Sequence, residues 1–139
     1  MPRITTSSSI RVFAAATVVF LGVVGCSDRY EHRRVNADDA RAEEVREMIA
    51  ALRSADGDEL SQRIRAQALD ELHDHQFAAL RDVLEEVAAA ERAELMRMDR
   101  FGRDVYRATI ELSDDAGRTR QVSMLLVPRD RRLRWAKKN

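Results

Sequence analysis

Cysteine is nearly absent from this sequence of 139 residues, in which Cys26 is the single example. One thiol cannot form an internal disulfide, so the folded domain must be stabilised by packing, even in an oxidising compartment. The same scarcity excludes a metal centre built from several cysteines.

Glycine-based phosphate sites are also missing. Gly57, Gly102 and Gly117 stand alone in the sequence, so no glycine-rich loop can surround a phosphate. Ser61 and Ser123 lack the context of a nucleophile elbow. These absences argue against a phosphate-loop protein and against a serine hydrolase.

Aromatic residues make up only 5% of the chain and do not alternate with basic ones, so we expect no nucleic-acid partner. Formal charge is balanced overall but not along the chain. Residues 36–100 contain about 17 acidic and 9 basic side chains, and residues 101–139 about 5 and 10. Acidic helices packed beside a basic sheet edge would explain this asymmetry, and so would a basic tail directed at anionic lipid or cell-wall polymer.

One long apolar run is present, at residues 12–25, after Arg3 and Arg11. Its roughly 14 residues fall short of the ~20 that span a bilayer, but suit the apolar part of an export signal. The run ends in Val23-Val24-Gly25-Cys26, and polar residues follow at once. This pattern resembles the lipobox of bacterial lipoproteins. The alternative is an ordinary secretory signal with an incidental cysteine.

The lipobox resemblance implies an anchor. Residues 1–25 would be the signal peptide, and cleavage after Gly25 would leave Cys26 carrying a diacylglyceryl thioether and an acylated amine, for example with palmitate. Two or three acyl chains hold a protein firmly on a bilayer. Residues 26–36 would form a tether on the periplasmic side. In lipoproteins of enteric bacteria, Asp directly after the lipidated cysteine retains the protein in the inner membrane. Ser27 occupies that position here, so the resemblance implies the outer membrane. Asp28 weakens this expectation for bacteria with other sorting rules.

Two or three helices are predicted next. The first begins near Asn36 or Asp39, which can cap a helix, and ends before Gly57, which tolerates left-handed backbone. Asp58 and Asp74 are candidate caps for the second and third. The end of the third, between residues 90 and 98, is left open. Apolar residues recur at helical spacing: Val45, Met48, Ile49 and Leu52; Leu60, Ile64, Ala68, Leu69 and Leu72; Phe77, Leu80, Leu84 and Val87.

The apolar period changes to two after Gly102, which predicts strands. Alternation covers residues 105–112, 120–127 and 133–135, and Asp114 and Asp115 lie in a turn between the first two. The fold class is therefore α+β, with N-terminal helices packed on a C-terminal antiparallel meander of three to four strands. Residues 37–139 are expected to form this single domain.

Two parts of the sequence resemble nuclear-transport-factor-2-like or cystatin-like domains. The first is residues 50–56, Ala-Ala-Leu-Arg-Ser-Ala-Asp. The second is residues 122–127, Val-Ser-Met-Leu-Leu-Val, followed by Leu133-Arg134-Trp135. Small bacterial lipoproteins of unknown function carry such domains. The resemblance implies a curved sheet that encloses a pocket with the helices, sometimes with an Asp–His pair as base. The usual glycine of the last turn is replaced here by Arg129-Asp130-Arg131-Arg132, and no Asp–His pair can be transferred by motif.

His73 and His75 are the candidate metal or acid–base residues of the domain. Two apart on a helix, they would point in different directions, although Glu71 with His75 or Asp70 with His73 could begin a site. No third ligand has suitable spacing, so we predict no metal and no cofactor. Trp135 and the methionines Met96, Met98 and Met124 are expected in the core.

The sequence therefore predicts a non-enzymatic, membrane-anchored periplasmic lipoprotein that binds an envelope partner or supports an envelope process. The alternatives are an enzyme or small-ligand carrier with a cone-shaped pocket, and a metal-binding protein.

Overall fold

A computed structural model describes residues 32–139. The elements are β1 (His32–Arg34), α1 (Ala40–Arg53), α2 (Gly57–Gln67), α3 (Asp74–Ala89), β2 (Arg92–Phe101), β3 (Val105–Ser113), β4 (Thr119–Arg129) and β5 (Arg132–Lys138). Among these residues, no helix is long and apolar enough to cross a membrane.

The five strands form one sheet in the order β1-β2-β3-β4-β5, with every neighbouring pair antiparallel. This confirms the α+β class, with the helices preceding the meander, but the expected three to four strands were too few. The additional strand, β1, comes from the segment expected to be tether, where three residues are too short to show a period. A register shift between Leu95 and Arg97 also breaks the alternation of β2.

The residue at the helix N-cap matches the predicted one at α1 but not at α2 or α3. Asp39 caps α1, accepting a hydrogen bond from the Arg41 amide at 2.8 Å, as predicted. α2 begins at Gly57 itself, with φ +53°, so Asp58 lies inside the first turn and is not the cap. α3 is preceded by His73 at the N-cap position, one residue before Asp74, and the Gln76 side chain accepts a bond from the His73 amide at 3.0 Å.

The end of α2 differs from the predicted one. The helix ends at Gln67, and Ala68 turns into extended backbone that bridges Trp135. The Leu69 amide donates to the Trp135 carbonyl at 3.0 Å. Pairing with the edge of β5 replaces the last helical turn, so the apolar spacing that continued to Leu72 did not extend the helix.

Arg53, on α1, explains where α3 ends. Its guanidinium donates to the carbonyls of Val87, Ala90 and Glu91 at 3.0, 2.6 and 2.9 Å. The last carbonyls of a helix have no partner within it, and here a side chain from a distant helix provides one.

The core lies between the three helices and one face of the sheet, called the inner face. The predicted alternation of Tyr106, Ala108, Ile110 and Leu112 is confirmed, since all four are buried. Trp135 is fully buried and its Nε1 donates to Gln67 Oε1 at 2.9 Å. The other buried apolar residues are Ala42, Val45, Ile49, Leu52, Ile64, Ala68, Leu80, Val83, Leu84, Val87, Met98, Met124, Leu126 and Leu133.

Packed side chains therefore occupy the space where the cone-shaped resemblance implied a pocket. Of the methionines expected in the core, Met98 and Met124 are there, but Met96 is 50% exposed, because the register shift of β2 displaces it from the inner face.

Candidate interaction site on the outer sheet face

The face of the sheet opposite the core is called the outer face. It carries a row of side chains across all five strands. Cross-strand pairing aligns Arg34 with Asp99, Asp99 with Arg107, Arg107 with Leu125, and Leu125 with Lys137. Directly opposed residues of antiparallel strands project to the same side. We call these five residues the outer row.

Asp99, in the outer row, is fully buried although it lies on the outer face. Its Oδ1 is 3.0 Å from His32 Nε2 and accepts a bond from Arg97 Nε at 3.0 Å. Its Oδ2 lies 3.4 Å from Arg107 Nη2. A buried carboxylate needs such partners, since an unpaired one would be strongly destabilising.

The protonation of Asp99 reflects these contacts. Burial by itself would raise the pKa of the carboxyl group. Hydrogen bonds from Arg97, His32 and Arg107 outweigh that effect and hold the pKa of Asp99 below its ordinary value. The group is therefore ionised at neutral pH and orients the two guanidinium groups and the imidazole ring around it.

Phe101 adds an aromatic surface beside this cluster. The His32 ring stacks on it with centroids 4.8 Å apart and planes 14° apart. The Arg107 guanidinium carbon lies 5.0 Å from the Phe101 centroid. His32 and Arg107, which both contact Asp99, therefore also pack against the Phe101 ring. These shared contacts pre-organise the cluster.

The two ends of the outer face differ in charge. Around the outer row, Arg34, Arg97, Arg107 and Lys137 accompany one carboxylate. At the far end, Glu94 and Glu111 are directly opposed, and Arg92 bonds Glu94 at 2.6 Å. The basic character is therefore concentrated at the end that contains β1.

The residues considered as a metal or acid–base site do not form one. His73 lies outside α3, and its ring stacks on that of His75 with centroids 6.0 Å apart, contrary to the expected divergence on a helix. Glu71 pairs with Arg129 at 3.4 Å. Within residues 32–139, no group of three or more His, Cys, Asp or Glu side chains converges as metal ligands would.

A surface cleft of about 630 Å³ lies between the end of α3 and the β3–β4 turn. Two of its acidic groups have local roles: Asp114 accepts bonds from the Ala116 and Arg118 amides at 2.9 Å, which confirms its predicted role in the turn. Glu86 forms an ion pair with Arg120. We assign this cleft no chemistry.

Cys26 lies outside the described residues. The sequence does not predict the Asp99 cluster, because residues 26–36 are assigned to a tether, the end of the third helix is open between residues 90 and 98, and strands are predicted only after Gly102. The available signal was the alternation of polar positions with Ala93, Leu95 and Met98, which is typical of a strand.

Comparison with known protein families, characterised proteins and solved structures finds no match for this chain.

Proposed function

We propose that this protein is a bacterial lipoprotein, anchored to the envelope through acylated Cys26, whose periplasmic domain is a non-enzymatic binding or envelope-support module. The observation that carries the proposal is the sequence Val23-Val24-Gly25-Cys26 after a short apolar run. Ser27 favours the outer membrane. The bilayer is the first partner, and an envelope protein is the second.

The position of the folded domain supports an anchor at Cys26. β1 begins at His32, six positions later. At ~3.3–3.6 Å per residue, the intervening chain reaches at most about 20 Å. An acylated Cys26 would therefore keep the domain close to the headgroups, as an envelope module requires.

The arrangement of polar groups favours binding over catalysis. Asp99, the buried carboxylate of the outer face, has a lowered pKa and hydrogen-bonds two arginines and one histidine, whereas a general base needs a pKa nearer neutrality. We also propose the nuclear-transport-factor-2-like relationship, supported by the order of helices followed by a meander. The packed inner face gives the pocket alternative no support.

The test is lipid attachment in bacterial cells producing the full chain. The wild-type product should lack residues 1–25 and carry acyl chains on Cys26, as measured by mass spectrometry, and should fractionate with membranes. Cys26→Ala should accumulate as precursor, and globomycin should have the same effect on the wild type.

Ser27→Ala is the matched control, because it changes the neighbouring residue and should leave acylation intact. A wild-type protein cleaved elsewhere, or carrying a free thiol at Cys26, would contradict the proposal.

A further inference from the structure

We infer that the outer row docks on the anionic phospholipid headgroups of the bilayer that holds the anchor. This inference rests on the proposed acylation of Cys26. It assigns the outer face a lipid surface as its occupant and orients the domain with its helices directed away from the bilayer.

Charge is the first argument. Arg34, Arg107 and Lys137 lie in one row across the sheet, and Arg97 lies beside Asp99 on the same face. Each Lys or Arg close to an anionic leaflet strengthens association by about fivefold. Four such cations facing one carboxylate make this end of the sheet complementary to phosphate-bearing headgroups.

Rigidity is the second argument. Asp99 is buried beneath Arg97 and Arg107, whose side chains are still 40% and 31% exposed. The carboxylate therefore holds both guanidinium groups in place without covering them. Cations oriented in advance lose less conformational freedom when they meet a headgroup.

The apolar part of the same face is the third argument. Phe101 and Val105 are opposed on neighbouring strands, and Leu125 lies within the outer row. All three are partly exposed. An aromatic ring among cations suits the boundary between headgroups and acyl chains, where one side of a contact is wet and the other apolar.

The short connection to the anchor is the fourth argument. The chain from Cys26 to His32 enters the sheet at β1, the strand next to Asp99, and reaches at most about 20 Å. The outer row is therefore within reach of the bilayer. A soluble partner would have to compete with a charged surface that is always within reach.

The experiment uses the mature acylated protein in two kinds of vesicle, phosphatidylcholine alone and phosphatidylcholine with phosphatidylglycerol. Acylated Cys26 has no free thiol, so a fluorophore can be attached selectively at Ser123→Cys or Thr109→Cys on the outer face. Ser61→Cys, exposed on α2, is the control. Quenching of that fluorophore by lipid with a nitroxide on its headgroup reports contact, and flotation at high salt reports the anchor.

We expect quenching at 123 and 109 on the anionic vesicles only, none at 61, and loss of contact between 0.1 and 1 M salt, where the Debye length falls from about 10 to about 3 Å. Arg34→Gln with Lys137→Gln should lower the ratio of docked to undocked protein by about 25-fold, about fivefold for each charge removed. The control pair Arg118→Gln with Arg81→Gln removes equal charge from exposed positions outside the outer row and should have little effect.

Each contrary outcome has a separate meaning. Protein that floats while its outer-face labels remain unquenched overturns the docking and leaves the anchor intact. Equal quenching on both vesicles overturns the requirement for anionic headgroups. Contact that arises only on adding purified envelope protein overturns the lipid occupant, and protein that fails to float refutes the anchor itself.

Discussion

The two faces of the sheet place their polar groups in opposite ways. On the inner face the centre is apolar, with Ile110, Met124 and Trp135 fully buried, and polar contacts such as those of Arg53 lie at the margin. On the outer face a buried carboxylate is surrounded by Arg97, Arg107 and His32, and the apolar side chains lie beside this polar cluster. The inner face resembles a core that stabilises the fold, and the outer face resembles a surface arranged for contact.

The two adjacent residues Leu125 and Leu126 allow a direct comparison. Leu126 is fully buried on the inner face, opposite Tyr106, and Leu125 is half-buried on the outer face, opposite Arg107. Leu126→Ala should lower the free energy of unfolding by about 3 kcal/mol, because it leaves a cavity in a packed core. Leu125→Ala should cost less than about 1 kcal/mol, because water can fill the space.

Urea denaturation of both variants measures the difference. Similar losses for the two leucines would contradict the distinction between the faces and would indicate that the outer face is packed as tightly as the inner one.

Asp99→Asn should have the next largest effect. Removing one member of a buried charged pair commonly costs 3–5 kcal/mol. The Asp99 partners Arg97 and Arg107 are partly exposed and can regain water, so we expect a smaller loss of about 2 kcal/mol. Glu111→Gln, on the same face, is the matched control and should change stability by less than about 0.5 kcal/mol.

The effect of Asp99→Asn should depend on pH. A carboxyl group whose pKa is lower in the folded state stabilises the fold above its unfolded pKa, near 3.9, and loses that contribution as pH falls through the folded pKa. The stability difference between wild type and Asp99→Asn should therefore shrink below about pH 4. Because His32 also contacts Asp99, the same comparison should be made with His32→Gln present in both proteins. The pH dependence that remains at acid pH then belongs to Asp99.

Much of this fold follows from periodicity. The helical stripe through Val45, Ile49 and Leu52, and the alternation through Ile110 and Leu112, depend on residues a few positions apart, and the structure buries all five. The α+β class and the order of three helices followed by β3, β4 and β5 could therefore be predicted from local pattern.

The remaining features depend on distant partners. α3 ends where Arg53 meets its carbonyls, β1 exists because it pairs with β2, and α2 stops because Ala68 bridges Trp135. The Asp99 cluster combines His32 with residues 65 or more positions later in the chain. No local spacing encodes such contacts, so the outer face could not be assembled from the sequence alone.

Arg53→Gln should produce the smallest and most local change, and it tests whether charge on the inner side acts only at the margin. Losing the guanidinium leaves the Val87, Ala90 and Glu91 carbonyls without their partner, at a cost of about 1 kcal/mol. Because these carbonyls lie at the end of α3, hydrogen exchange should accelerate at the Ala90 amide and not in the sheet. Arg81→Gln, on the exposed side of α3 with ion pairs of 3.8 Å, should leave exchange unchanged. Faster exchange throughout β3 and β4 would instead mean that Arg53 supports the whole core.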